Sequence, residues 1–171
     1  MVYYVQKERE GHEMKKLTFE NNLPYTFDPD RKNAKYSLDG GYKWMNHGEY
    51  CECLAKSVLG FEARKDANVA YDKGDDLPEL RASVKSWNGG LTDTKHMPKN
   101  PDDFLKVFWE NDHSETFIWV YDYADMVDLW FMNRNEFQVF VEQFASWDKH
   151  CEKFRIKTCN NKINAWLEAQ I

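Results

Sequence analysis

Thr116–Tyr123 and Met126–Met132, two runs of aromatic and β-branched residues separated only by Ala124-Asp125, constrain the fold more than any other part of the chain. Both read as strands, and the short spacer pairs them. So apolar a pair is largely buried and needs cover from other elements. The flanking sequence offers it. Asp102–Glu110 reads as a short helix, with Pro101 at its start, two acids in its first turn and Phe104, Leu105 and Phe108 on one face. Asn133-Arg134-Asn135-Glu136 resembles a capping box opening a helix to about Lys149, with Phe137, Phe140, Val141, Phe144 and Trp147 inward.

Further elements follow from the same reasoning. A helix is predicted from about Asn46 to Leu59, stopped by Gly60, with Tyr50, Cys51, Leu54 and Val58 inward and Glu49, Glu52 and Lys56 on the other side. Asn68–Asp72 and Glu79–Ser86 read as strands, Phe154–Thr158 as a last strand, and Lys162–Gln170 as a final helix. This succession predicts an α/β fold, a central mixed β-sheet flanked by helices. Residues 46–171 are expected to form that domain. Residues 1–45 are expected to be an N-terminal arm, partly irregular, with a strand at Met1–Gln6 and a stretch from Asn21 to Gly41 rich in turn formers such as Pro24, Pro29 and Gly40-Gly41.

The chain of 171 residues contains no run of 18 apolar residues, and its first residues lack a basic-then-apolar order. A soluble, cytoplasmic protein without a membrane partner is the expectation. Cys51-x-Cys53 on a helix diverges by about 200° and makes a poor chelate. With His47 and His150 the spacing matches no standard zinc pattern, so reduced thiols packed in the core are expected. The net charge of −6 resides in residues 101–171, which carry 7 basic against 13 acidic groups. Residues 81–99 and 149–162 are basic stretches, an arrangement compatible with DNA on one side and neutral as evidence.

The chemistry concentrates around Lys85. On a strand over Glu79–Ser86, Leu80, Ala82 and Val84 point into a core, while Glu79, Arg81, Ser83 and Lys85 form a polar face. The turn Asp72-Lys73-Gly74-Asp75-Asp76 lies just before it. A carboxylate at such a turn can hold a hard divalent cation, and a lysine on the next strand can orient water and offset phosphate charge. Ordinary readings exist for each part. Gly-Asp-Asp is common turn chemistry, and Glu52 with Lys56 is a plain i,i+4 pair on a solvated face.

Glu49 and Glu52, then Asp75-Asp76, then Ser83-Val84-Lys85 together resemble the PD-(D/E)xK nuclease superfamily. Its sites read as an acidic helix residue, an aspartate, then (Glu/Asp)-x-Lys. Trp87–Met97 is similar to the DNA-reading loop of small type II restriction endonucleases. The resemblance implies a restriction-endonuclease-like fold and hydrolysis of phosphodiester bonds in double-stranded DNA with Mg²⁺ or Mn²⁺. It implies Asp76, Asp75 and Glu79 as metal carboxylates, with the Val84 carbonyl as a further ligand. Lys85, Ser83, Glu52 and Glu49 would be the catalytic set, Lys85 positioning water. Ser83 departs from the family by replacing its second acid, and Glu52, Glu49 or Glu79 would supply that carboxylate. Asn88, Thr92, Thr94, Lys95 and His96 would contact bases or phosphates. Double-strand cutting would call for a homodimer. The rival expectation is a degenerate nuclease-like module that binds DNA or a protein, its acidic 102–128 surface meeting a basic partner.

Overall fold

The structure, a computed structural model, describes residues 2–5, 14–21, 25–28, 35–38, 47–61, 76–77, 80–92, 95–123 and 125–171. The elements run β1 (Val2–Val5), β2 (Lys15–Glu20), β3 (Tyr25–Asp28), β4 (Lys35–Leu38), α1 (His47–Val58), β5 (Ala82–Ser86), α2 (Pro101–Asn111), β6 (Thr116–Tyr123), β7 (Met126–Asn133), α3 (Arg134–Phe144), β8 (Ala145–Asp148), β9 (Lys153–Ile156) and α4 (Asn160–Gln170). The class is α/β. A five-stranded sheet has the order β1-β2-β7-β6-β5, and β3–β4 and β8–β9 form two small hairpins. Only β5 and β6 run parallel among the central pairs; β1, β2, β7 and β6 are successively antiparallel.

The expected aromatic hairpin is the centre of the sheet, with Trp119 opposite Trp130 and Val120 opposite Leu129. Strand alternation sends Phe117, Trp119, Trp130 and Met132 to one face, where they pack with Phe137, Phe140, Ile163 and Leu167 of α3 and α4. Ile118, Val120, Val127 and Leu129 point to the other face, against Tyr50, Leu54 and Ala55 of α1. Two cores thus sandwich one sheet. Among the described residues no helix is long and apolar enough to cross a membrane.

Three boundaries differ from expectation. Residues 15–20, expected within the arm, form β2, an interior strand of the sheet beside β7. Strand β5 starts at Ala82 rather than Glu79, because Arg81 takes a left-handed φ of 49° that breaks an extended run. Leu80 is consequently exposed instead of joining the core. Helix α3 ends at Phe144 instead of near Lys149, and the chain turns into β8. There Trp147 meets Phe104 and Phe154 edge-on, at 5.5 and 5.2 Å between centroids, a packing that a continued helix would forgo. Asp148 fastens the same hairpin. Hydrogen bonds from Lys157 and then from the Cys151 N–H hold its carboxyl well below the usual carboxylate range. The strand expected at 68–72 lies outside the described residues.

The capping box at α3 is present and does more than cap. Asn133 accepts from the Glu136 N–H at 2.8 Å, and one Glu136 oxygen accepts from the Asn133 N–H at 2.9 Å. The other Glu136 oxygen accepts from the Met14 N–H, also at 2.9 Å, joining the start of β2 to the start of α3. Glu136 is buried, so its loss leaves two donors unpaired away from water. Glu136→Ala is expected to lower the unfolding free energy by about 2–4 kcal/mol, and Glu136→Gln by less. Urea denaturation monitored by tryptophan fluorescence measures both; equal, negligible losses would refute this role.

Candidate functional site

Strand β5 is an edge strand, and its outer edge carries the site. Leu77 forms an antiparallel bridge to Ala82, with the Leu77 N–H to Ala82 carbonyl at 2.9 Å and the reverse bond at 3.2 Å. This brings the preceding segment alongside β5. Two residues on, the Val84 N–H faces the same edge and donates to Asp76 Oδ2 at 2.7 Å. Helix α1 lies over that edge because Tyr50, Leu54 and Ala55 are wholly buried against Val84, Ala82 and Ile118.

The helix therefore brings the Glu52 carboxyl group within hydrogen-bonding reach of Asp76. Two carboxylates cannot meet this closely while both are charged, so one keeps a proton. Burial, then repulsion from Asp76 and the hydrogen bond to it, push Glu52 up to about 8 from an ordinary 4.5, against a partial offset from Lys56. Lys56 is itself almost buried rather than solvated. Glu49 lies one turn before Glu52 and adds to the negative potential on it.

Ser83 and Lys85 share a strand face, but not with the carboxyl pair. They point to the opposite side of the sheet from Val84. Ser83, 7% exposed, hydrogen-bonds the Ser114 hydroxyl at 2.6 Å. Lys85 Nζ donates to the Leu91 carbonyl at 2.6 Å and sits 5.8 Å above the Phe108 ring centroid. Asp76 and Glu52 are thus brought together, whereas Lys85 and Ser83 stand across the strand from them. Asp75, Glu79 and Thr94 lie outside the described residues.

The segment after β5 is held by β9. The Asn88 and Leu91 N–H groups donate to Ile156 and Phe154 carbonyls, and the Ile156 N–H donates to Gly89. A Cβ at Gly89 would come 3.0 Å from the Ser86 carbonyl oxygen, so a side chain there would crowd this turn. Arg155 clamps Asn88, reaching its side-chain oxygen at 2.8 Å and its carbonyl at 3.0 Å. Thr92 is half-buried, and Lys95 and His96 are exposed beyond it.

A second convergence joins His47 and Cys51, whose spacing matches no standard zinc pattern, to Asp122, a residue that the sequence does not connect with them. One turn of α1 carries His47 and Cys51, and the C-terminal end of β6 carries Asp122. His47 Nε2 lies 3.5 Å from Cys51 Sγ and 3.2 Å from Asp122 Oδ1. Cys51 is fully buried; burial, then the charge of Asp122, raise its thiol well above the ordinary range, while a hydrogen bond with Ser86 acts the other way. The signal available in sequence was the i,i+4 spacing of His47 and Cys51, which places both on one helix face. Asp122, distant in sequence, had none.

No family model, curated protein or solved structure matches the chain.

Because Glu52 holds its proton more tightly in the fold, folded and unfolded chains are equally protonated below about pH 4.5. Between about 4.5 and 8 the unfolded chain releases that proton and the fold retains it, so this group's contribution to stability falls as pH rises. Each tenfold difference in proton affinity is worth about 1.4 kcal/mol. Glu52→Gln should accordingly be more stable than the parent at pH 8 and lose that advantage at pH 4.5. Urea unfolding at the two pH values measures it, and an advantage that is unchanged or larger in acid would contradict the assignment.

Proposed function

We propose that this chain is a divalent-cation-dependent phosphodiesterase of nuclease type, acting on double-stranded DNA with Mg²⁺ or Mn²⁺ and built on a restriction-endonuclease-like fold. The observation that carries the reading is the meeting of Glu52 with Asp76, itself held by the Val84 N–H, at the outer edge of β5. Two carboxyl groups held together by a proton, one of them raised by burial, offer the oxygen donors a hard cation takes in place of that proton. The donor set fits. Asp76 and Glu52 would hold the cation, and Glu52 would fill the place that Ser83 leaves without an acid. A bound cation would supply polarisation of the phosphoryl oxygens and a more acidic water.

The remaining roles follow from position. Asp76, fixed by the Val84 N–H, is held in one orientation before any cation arrives. Glu49 deepens the local negative potential that attracts the cation. Lys95 and His96 are the exposed candidates for phosphate contact, whereas Asn88 is engaged by Arg155. Cutting both strands would require a homodimer with two such edges related by a twofold axis.

The bond of Lys85 to the Leu91 carbonyl favours a second reading, a catalytically degenerate nuclease-like module that binds DNA or a protein. A lysine spent on a turn cannot also orient water at the far side of its strand.

Relaxation of supercoiled plasmid with Mg²⁺ or Mn²⁺ decides between them. The proposal expects cleavage by the parent and a loss of at least about a hundredfold in Asp76→Asn and Glu52→Gln, removal of a stabilising electrostatic group typically costing that much. Lys85→Ala should retain cleavage within about tenfold and lose stability, since a charged hydrogen bond is worth about 1.5–3 kcal/mol. A parent that binds the plasmid and leaves it uncut with either cation would hand the chain to the second reading.

A further inference from the structure

The His47, Cys51 and Asp122 cluster is separate from the carboxyl pair and has different chemistry. Among the described residues it is the one group of three His, Cys, Asp or Glu side chains whose ligand atoms all lie within 4.8 Å of one another. It sits where the first turn of α1 meets the C-terminal ends of the parallel strands β5 and β6, the end at which α/β sheets hold ligands.

We propose that these three side chains form a binding site for a zinc-type divalent cation, with a fourth position left open. The spacing supports this directly. Tetrahedral zinc with bonds of about 2.0–2.1 Å to nitrogen and oxygen and about 2.3 Å to sulfur separates nitrogen from sulfur by about 3.5 Å, and nitrogen from oxygen by about 3.3 Å. The protein holds these pairs at 3.5 and 3.2 Å.

The ligand types agree with the spacing. One imidazole, one thiol and one carboxylate suit a borderline-soft ion rather than Mg²⁺, and a thiolate with a carboxylate would balance its charge. Three protein ligands with a vacant position match sites whose metal meets water or substrate. Exposure is graded to suit. Cys51 is sealed beneath the helix, while the side chains of His47 and Asp122 are 26% and 23% exposed, so the cluster opens on that side.

A thiol nucleophile is the competing assignment, and the geometry disfavours it. In a nucleophile–base–acid relay the imidazole uses one nitrogen for each partner. Here the same Nε2 is the nearer nitrogen to Cys51, with Nδ1 at 4.0 Å, and also meets Asp122. With Nε2 next to both partners and all three ligand atoms within 4.8 Å of one another, the arrangement suits a ligand shell.

Titration of the full reduced chain with Co²⁺, a spectroscopic stand-in for zinc, tests the site. The expected result is saturation at about one ion per chain with a thiolate-to-cobalt charge-transfer band. The band should vanish in Cys51→Ser and persist in Cys53→Ser, and Asp122→Asn should bind at least about tenfold more weakly. Should Cys51→Ser fail to fold, the partly exposed Asp122→Asn carries the test, its folding checked by circular dichroism. A parent without the band, a band undiminished in Cys51→Ser, or a folded Asp122→Asn that binds as tightly as the parent would overturn the proposal. The readout involves no DNA, so it stands or falls apart from the phosphodiesterase reading.

Discussion

The middle of the β6–β7 hairpin is apolar on both faces, and this shapes everything around it. Trp119 and Trp130 meet across one side, Val120 and Leu129 across the other, and all four are buried. Removing such surface from water is the dominant stabilising contribution, on the order of 25 cal/mol per Å². Each face must therefore be covered separately. Helices α3 and α4 cover one, and α1 covers the other. Strand β5 then extends the sheet on the β6 side, and its outer edge, which meets Asp76 and Leu77, lies under α1. The juxtaposition of Glu52 with Asp76, and of His47 and Cys51 with Asp122, follows from how α1 must lie to bury Tyr50 and Leu54.

Much of this was legible in the chain. The hairpin, the capping box at Asn133 and Glu136, and the helices beginning near His47 and Pro101 are governed by local pattern, so periodicity and capping chemistry locate them. What local pattern could not reveal was decided by distant partners. Strand β2 precedes the turn-rich stretch 21–41, and its partner β7 lies more than a hundred residues away. Helix α3 gives way to β8 because Trp147 packs with Phe104 and Phe154, residues 43 and 7 positions away. Arg81 breaks its strand through a backbone conformation that residue type does not announce.

The candidate site divides along the same line. Strand alternation correctly puts Ser83 and Lys85 on one face, yet alternation says nothing about what covers that face. The cover is Phe108 and Ser114, so Lys85 turns to the Leu91 carbonyl. Asp76 reaches the strand through its edge, not its face, by accepting from a backbone N–H. Glu52 could be either a solvated helix residue or a site residue from sequence alone. Its burial against Asp76, a consequence of helix docking, separates the two.

The central claim is that the Glu52–Asp76 proton stands where a divalent cation would bind. Calorimetric titration of Mn²⁺ or Mg²⁺ at pH 7, repeated in buffers of different ionisation enthalpy, measures the protons released per cation. With Glu52 pushed up to about 8, the account predicts release of about one proton by the parent and close to none by Glu52→Gln. Binding with no proton release, or no binding at millimolar cation, would contradict it.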